Sequence, residues 1–290
     1  MGLFGPSGSA DTLTGMGFHT RRIEANGISY HLIDEGDHGP AVLLLHGFPD
    51  TSSLWRGQIL ALVGAGFRAI APDLRGRGQT QAPANLADYS IGGMVPDLVA
   101  LLDQLGIDRA HVVGHDFGAA VAWVFAALRP DRVNRLAVLS VGHPMARGKP
   151  TLEGLQKSWY RILFQFDGAE DLVKQDDWYL FRELLQGNGD VEEYIADLSR
   201  PGALTAGLSW YRAVLPLSSI MAPPSGLPAV KSPTLGIWST GDNYLNEEPM
   251  QRSADQVTGG WRYERFDDAS HWIPLDQPER LNTLLLEFLS

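Results

Sequence analysis

The sequence predicts an α/β fold in which a mostly parallel central sheet carries helices on both faces and receives an inserted helical lid. Short apolar runs alternate with helix-like periodicity along the first half of the chain, at a spacing typical of βαβ units. The run AVLLL at 41–45 contains no polar residue, as expected for a central strand that is buried on both faces. The alternation stops near residue 143 and resumes at 234, which predicts a helical insertion in an otherwise continuous core.

The elements can be assigned in order from these patterns. Two β-rich runs around ANG within residues 18–36 predict a hairpin. The other predicted strands are 40–47, 67–76, 110–116, 133–141, 234–242 and 261–271, and the predicted helices are 53–66, 91–107, 117–130, 204–215, about 247–257 and 278–290. We therefore predict a flexible N-terminal segment at 1–17, a core made of 18–142 and 226–290, and a helical cap domain at 143–225.

Composition and charge exclude several classes of function. The chain has 290 residues, of which 44% are hydrophobic and 20% charged, and its formal net charge is -11. A negative charge of this size argues against nucleic acid and anionic membranes as partners. The absence of cysteine excludes disulfides and thiolate catalysis. No apolar run approaches the roughly 18 residues of a membrane span, and the Gly/Ser-rich start does not resemble a secretory signal. We expect a cytoplasmic monomer or homodimer without membrane insertion.

The first motif that suggests chemistry is HVVGHDFGAA at 111–120, which predicts a strand, a tight turn and a helix. Its turn has the spacing of a nucleophile elbow between Gly114 and Gly118, with Asp116 where a serine is more usual. The N-terminus of a helix favours negative charge, so we expect Asp116 to be ionised. An ordinary βα turn with an acidic N-cap has the same spacing, and the motif alone leaves both interpretations open.

Two later motifs supply the partners that such a nucleophile needs. STGDNYL places Asp242 just after a predicted strand, and SHWIPLDQPE places His271 in a loop before the last helix. A nucleophile, an acid and then a histidine is the chain order that accompanies the elbow, and loops at the carboxyl ends of parallel strands meet at one edge of a sheet. We predict Asp116 as nucleophile, His271 as general base and Asp242 as the group that orients His271.

The loop HGFPD at 46–50 follows the first central strand and predicts an oxyanion hole. The candidate donors are the backbone amides of Phe48 and of Phe117, the residue after the nucleophile. The Phe48–Pro49 bond is a candidate cis peptide. We expect His46 to brace the loop rather than to catalyse. In APDLRGRGQT, Asp73 and Arg75 are likewise expected to brace a loop.

No metal-ligand cluster and no phosphate-binding glycine loop is evident, so we expect no metal and no cofactor.

From about residue 20 to 290 the chain resembles the α/β-hydrolase superfamily and, within it, the epoxide hydrolases. The resemblance rests on HGFPD, GHDFG, STGDNYL and SHWIPLDQPE, which occur in this order near the expected separations. An aspartate at the elbow is shared with the haloalkane and fluoroacetate dehalogenases. These motifs therefore do not select the reaction by themselves.

Tyrosines of the predicted lid favour an epoxide. Opening of an epoxide yields an alkoxide, which needs a proton or a strong hydrogen bond, and a phenol stays protonated at neutral pH and can supply it. Tyr160 in SWYRILFQFDGAEDL and Tyr211 in GLSWYRAVL resemble the two lid tyrosines of that family. We also expect Phe48, Trp210 and Trp272 to contact the substrate. The remaining tyrosines considered, which we expect only to pack, are Tyr179, Tyr194 and Tyr244.

The resemblance implies hydrolysis of a small hydrophobic epoxide to a vicinal diol, through an ester on Asp116 that water activated by His271 then cleaves. A haloalkane or haloacid dehalogenase using the same triad is the alternative. The haloalkane enzymes usually carry Trp directly after the nucleophile and the fluoroacetate enzymes carry arginines there, whereas this chain has Phe117 and Val121. Ester hydrolysis suits an aspartate poorly, because carboxylate attack on an ester gives an anhydride. A non-catalytic protein that binds a small molecule on a hydrolase scaffold is the alternative of another class.

Overall fold

A computed structural model describes residues 17–214 and 226–290 of the chain. Within these residues the strands form one eight-stranded sheet of order β1-β2-β4-β3-β5-β6-β7-β8. The strands are β1 (Thr20–Ala25), β2 (Ile28–Glu35), β3 (Ala41–Leu45), β4 (Arg68–Pro72), β5 (Ala110–His115), β6 (Val133–Leu139), β7 (Thr234–Gly241) and β8 (Trp261–Ser270). The pairs β1/β2 and β2/β4 are antiparallel, and the other pairs are parallel.

The helices lie between and after these strands. They are α1 (Arg56–Gly64), α2 (Ile91–Gln104), α3 (Phe117–Leu128), α4 (Leu152–Lys157), α5 (Tyr160–Leu163), α6 (Ala169–Leu185), α7 (Val191–Leu198), α8 (Ala203–Val214), α9 (Glu247–Arg252), α10 (Ile273–Asp276) and α11 (Pro278–Leu289). Short 3₁₀ turns occur at Ser52–Trp55, Leu86–Tyr89, Pro144–Ala146 and Ser253–Gln256. Helix α6 is kinked at 175–178, where the backbone leaves helical geometry.

The core of the molecule is the parallel part of this sheet. All residues of β3 and β5 are buried, which explains why β3 is a continuous apolar run rather than an alternating one. Helix α2 packs against α3, and α1 packs against the C-terminal helix α11. The predicted hairpin is the β1/β2 pair, with Asn26 and Gly27 at positive φ in its turn. The predicted fold class is confirmed.

Every described element between β6 and β7 is helical, and we call α4 to α8 the cap helices. The predicted helix 53–66 is in fact a 3₁₀ turn at Ser52–Trp55 followed by α1. The cap limits at 143 and 225 stay predictions. The predicted flexible segment 1–17 lies almost wholly outside the described residues, as do residues 215–225 at the end of the predicted cap. In the described part of the chain no helix is both long and apolar enough to cross a membrane.

Candidate active site

The turn between β5 and α3 holds Asp116 at its tip. Asp116 has φ 52 and ψ -122, a strained conformation for a non-glycine residue, and it is the N-cap of α3. A Cβ on Gly118 would lie 2.0 Å from the carbonyl oxygen of Leu45, and a Cβ on Gly114 would lie 2.5 Å from the carbonyl oxygen of Gly118. Glycine is therefore required on both sides of the turn, because helix α3 passes directly against β5 and the end of β3.

Asp242 and His271 meet Asp116 at the carboxyl edge of the sheet. His271 Nδ1 lies 2.8 Å from Asp242 Oδ2, and His271 Nε2 lies 3.7 Å from Asp116 Oδ2. The other oxygen of Asp242 accepts hydrogen bonds from the amides of Tyr244, at 2.8 Å, and Leu245, at 2.9 Å. These bonds fix the carboxylate, so that the proton on His271 Nδ1 points at Asp242 and Nε2 faces the nucleophile.

Burial and neighbouring charges shift the pKa values of this pair. Burial lowers the pKa of His271, but the charge and hydrogen bond of Asp242 and the charge of Asp116 outweigh it and raise that pKa to about 9. Burial raises the pKa of Asp116 above its ordinary value, although the charge of His271 and the amides of Phe48 and Phe117 oppose the rise. Burial therefore opposes the charged form that the position at a helix N-terminus predicts for Asp116. The charge of His271 is the largest of the causes that favour the charged form.

The loop after β3 brings its amide to the nucleophile. Phe48 N donates to Asp116 Oδ1 at 3.0 Å, and the Phe117 amide also hydrogen-bonds to this carboxylate. The Phe48–Pro49 bond is cis. His46 Nε2 accepts from the amide of Leu74 at 2.9 Å, so its Nδ1 carries the proton that it donates to the Gly47 carbonyl at 2.8 Å. Burial lowers the pKa of His46 to about 4 and keeps it neutral, which suits a residue that braces the loop.

The cap helices close the site from above with aromatic side chains. One cavity is lined by Asp116, His271, Tyr160 and Tyr211 together with Phe48, Pro49, Phe164, Phe181, Leu184, Leu185, Tyr244 and Trp272. The rings of Tyr160 and Tyr211 lie 5.8 Å apart and nearly perpendicular. Burial, with the nearby charge of Asp116, raises the pKa of both phenols. The hydroxyl of Tyr244 donates instead to the Leu184 carbonyl at 2.7 Å.

Trp210 does not reach this cavity. Its indole nitrogen donates to the Arg75 carbonyl at 2.9 Å, and its ring packs against Phe117 and His46. The indole is fully buried between the cap and the core, so the residue joins the two layers. Of the three residues expected to contact substrate, Phe48 and Trp272 line the cavity and Trp210 does not. The carboxylate of Asp73 accepts from the amide of Ser52 at 2.8 Å, which braces a loop.

Sequence reasoning missed a buried carboxylate beside the base. Asp50 is 1% exposed, and its oxygens accept from the Tyr194 hydroxyl at 2.6 Å and the Trp272 indole at 3.2 Å. Burial raises the pKa of Asp50 to about 7, and the charge of Asp116 adds to this rise while the Tyr194 hydrogen bond opposes it. The HGFPD motif contains Asp50, but nothing local indicates that a tyrosine of the distant α7 packs onto it.

The described residues contain no cluster of three or more acidic or histidine side chains suited to a metal ion.

Comparison with known proteins gives the class of protein. Residues 40–278 match the family model of the alpha/beta hydrolase fold. The AB hydrolase superfamily protein YfhM of Bacillus subtilis is 35% identical over 92% of this chain and 96% of its own length. Epoxide hydrolase A of Mycobacterium tuberculosis is 32% identical over 95% of this chain and 98% of its own. The crystal structure of epoxide hydrolase A from Mycobacterium thermoresistibile superposes with a TM-score of 0.77 at 30% identity, covering 94% of this chain and 98% of that one.

The fold, the turn around Asp116 and the matched family define an α/β-hydrolase enzyme with an aspartate where the general elbow motif has a serine. The similarity over nearly the whole length narrows the class further. The chain belongs to the epoxide hydrolase family.

Proposed function

We propose that this protein converts an uncharged, largely apolar epoxide into a vicinal diol through a covalent ester on Asp116. The observation that carries the proposal is the pairing of a buried aspartate nucleophile with two phenols that face the same cavity. Neither the Tyr160 hydroxyl nor the Tyr211 hydroxyl donates a hydrogen bond to another described residue. Both hydroxyls therefore remain available to donate to an oxygen atom in the cavity.

In the first step, Asp116 Oδ2 attacks one carbon of the epoxide and the carbon–oxygen bond on that carbon breaks. Tyr160 and Tyr211 donate to the departing oxygen as its negative charge develops. Their raised pKa values keep both phenols protonated at neutral pH. The positive charge of His271, 3.7 Å from Asp116, helps to keep the nucleophile ionised in spite of its burial.

In the second step, His271 Nε2 removes a proton from water and the hydroxide attacks the ester carbonyl carbon of Asp116. The amides of Phe48 and Phe117 stabilise the oxyanion that forms on Oδ1. The oxyanion then collapses, the bond between the carbonyl carbon and Oδ2 breaks, and the diol leaves with Oδ2 after that oxygen takes the proton held by His271. The oxygen from water stays in the Asp116 carboxylate. Formation of the ester removes the negative charge of Asp116, which is one of the causes of the high pKa of His271. The pKa of His271 therefore falls after the first step, when the enzyme needs a neutral imidazole.

The shape and charge of the cavity support an apolar substrate. Most of the described lining residues are aromatic or aliphatic, and no lysine or arginine is among those described. The one cation among these described residues, His271, is already paired with Asp242 and Asp116, which disfavours a carboxylated substrate such as a haloacid. The indole of Trp272, the tryptophan of this lining, already donates to Asp50 and is not free to hold a halide.

Single turnover in ¹⁸O-labelled water tests the two steps. With enzyme in excess over styrene oxide, the label should appear first in Asp116 and not in the diol. The variant His271→Gln should accumulate an ester adduct, visible by mass spectrometry on the peptide that contains Asp116. Label found only in the diol during the first turnover, with no adduct in the variant, would refute the covalent mechanism. Halide release from a bromoalkane without diol from an epoxide would refute the choice of substrate.

A further inference from the structure

We propose that Arg77 is a positioning residue for cleavage of the ester: it holds the loop of Phe48, Pro49 and Asp50 so that the Phe48 amide stays aimed at Asp116. This proposal rests on the two-step reaction above. It assigns a role to a residue that does not line the cavity.

The Arg77 guanidinium contacts three consecutive residues of this loop. Arg77 is fully buried, its Nε donates to the Asp50 carbonyl at 3.2 Å, and its Nη2 donates to the Pro49 carbonyl. The centre of the guanidinium lies 5.5 Å from the centroid of the Phe48 ring. A planar group with several fixed donors can make these contacts together, which a lysine ammonium cannot do.

The same side chain connects the loop to the cap. Nη2 lies 2.9 Å from Asp197 Oδ2 at the end of α7. Tyr194, one turn earlier on α7, donates to the side chain of Asp50. Helix α7 therefore reaches Asp50 twice, once at the carboxylate through Tyr194 and once at the carbonyl through Arg77.

Close packing leaves the loop little room to take another position. A Cβ on Gly207 of α8 would lie 2.7 Å from the Phe48 ring and 3.5 Å from Arg77 Nη1. On the other side, His46 fixes the Gly47 carbonyl of the peptide that carries the Phe48 amide. We infer that the remaining freedom of the loop is controlled by its Pro49 and Asp50 carbonyls, which Arg77 holds.

The two steps should depend differently on this amide. During attack on the epoxide, negative charge leaves the Asp116 carboxylate, so a well-aimed Phe48 amide gives no advantage. During cleavage of the ester, negative charge develops on Oδ1, and the same amide then stabilises the transition state. Loss of Arg77 should therefore slow cleavage of the ester and spare its formation, whereas a loss of general structure would affect both.

Rapid-quench single turnover of styrene oxide separates the two rates. In Arg77→Met and Arg77→Lys we expect cleavage of the ester to slow by about 10- to 100-fold, with formation within about 3-fold of wild type. Asp197→Asn should slow cleavage by a smaller factor. The control is Arg200→Gln, because Arg200 also pairs with Asp197 but is half exposed, and its hydrogen bonds in the described part of the chain go to Asp197 rather than to the loop. Equal slowing of both steps, or unchanged rates in all Arg77 and Asp197 variants, would overturn the proposal.

A second measurement needs no substrate and so separates this proposal from the proposed function. The Phe48 amide lowers the pKa of Asp116, so the ¹⁵N shift of Phe48 should follow the titration of Asp116 in labelled protein. In Arg77→Lys the midpoint should move to higher pH and the amplitude should shrink. A titration of the Phe48 amide identical to wild type would overturn the role of Arg77, whether or not any epoxide is turned over.

Discussion

The variant Asp242→Asn should block the second step of the reaction and leave the first largely intact. Oδ1 of Asp242 accepts from two backbone amides, so the oxygen of the asparagine must stay there. Its NH2 group then faces His271 Nδ1, where the carboxylate lies at 2.8 Å in the wild type. Nδ1 must accept this hydrogen bond, and the proton of the neutral ring moves to Nε2, the atom that should take a proton from water.

The size of the effect follows from the pKa of His271. Asp242, with help from Asp116 and Asp50, raises that pKa against burial from 6.5 to about 9. The net rise in pKa, 9 − 6.5, is about 2.5, which corresponds to about 3.4 kcal/mol or roughly 300-fold. A tautomer error of the same kind in a Ser-His-Asp triad costs about 10⁴ in kcat. We therefore expect cleavage of the ester to slow by about 10²- to 10⁴-fold.

Rapid quench followed by intact-mass analysis checks this prediction. Asp242→Asn should form the ester at close to the wild-type rate and then hold it, so that nearly all enzyme carries an adduct at steady state. The control Asp276→Asn changes an acid of α10 that accepts from the Ser270 amide at the end of β8. In the described part of the chain its hydrogen bonds go to Ser270 rather than to the His271 side chain, so the variant should turn over within about 3-fold of wild type. An Asp242→Asn enzyme that loses both steps equally, or accumulates no adduct, would refute the reasoning.

Three further predictions test other parts of the site. Tyr211→Phe should slow formation of the ester by about 10- to 10³-fold with little change in its cleavage, measured by stopped-flow, because one donor to the epoxide oxygen is lost. Gly47→Ala should reduce ester formation at least about 100-fold with the fold retained by circular dichroism, since its Cβ would lie 2.4 Å from the Cβ of Asp116. Asp50→Asn should raise the free energy of unfolding at pH 8 by about 1–3 kcal/mol, measured by urea titration. This figure already allows for a weaker hydrogen bond to the side chain at position 50.

The sign of the last prediction follows from proton linkage. Asp50 has a pKa of about 7 in the folded protein and about 4 when unfolded, so the folded state binds the extra proton. Ionisation of the buried Asp50 carboxyl lowers the free energy of unfolding. This loss is absent below about pH 4 and complete above about pH 7. Asp50→Asn should therefore be most stabilising at high pH, and a variant no more stable than wild type at pH 8 would contradict this.

Matched variants serve as controls for the other two. Tyr179 is 60% exposed on α6, so Tyr179→Phe should leave ester formation unchanged. Gly64 in α1 has open space around its Cβ position, so Gly64→Ala should leave activity unchanged and the helix as stable or slightly more so. If Gly64→Ala lost activity as Gly47→Ala should, the close contact with Asp116 would not be the cause.

Much of the fold could be predicted from local patterns. The apolar runs of β3 and β5, the Asn-Gly turn of the hairpin and the glycines around Asp116 each reflect a requirement of neighbouring residues. Parallel topology then brings the ends of β5, β7 and β8 to one edge of the sheet. For this reason the sequence alone could predict that Asp116, Asp242 and His271 lie close together. The sequence also suggested the contribution of Phe48 to the site, because HGFPD follows a central strand.

The sequence by itself determined the alternation of strands and helices, the aspartate at the tip of the β5–α3 turn and the chain order of Asp242 and His271 after it. These features depend on residues close in sequence or on a general rule of sheets. Only the tertiary structure decided which cap residues face the cavity. Trp210 turns to the Arg75 carbonyl, Tyr194 meets Asp50, and Arg77 spans the loop and α7. These contacts join segments far apart in the chain, and their geometry is set by how the cap helices pack on the core, which no local pattern encodes.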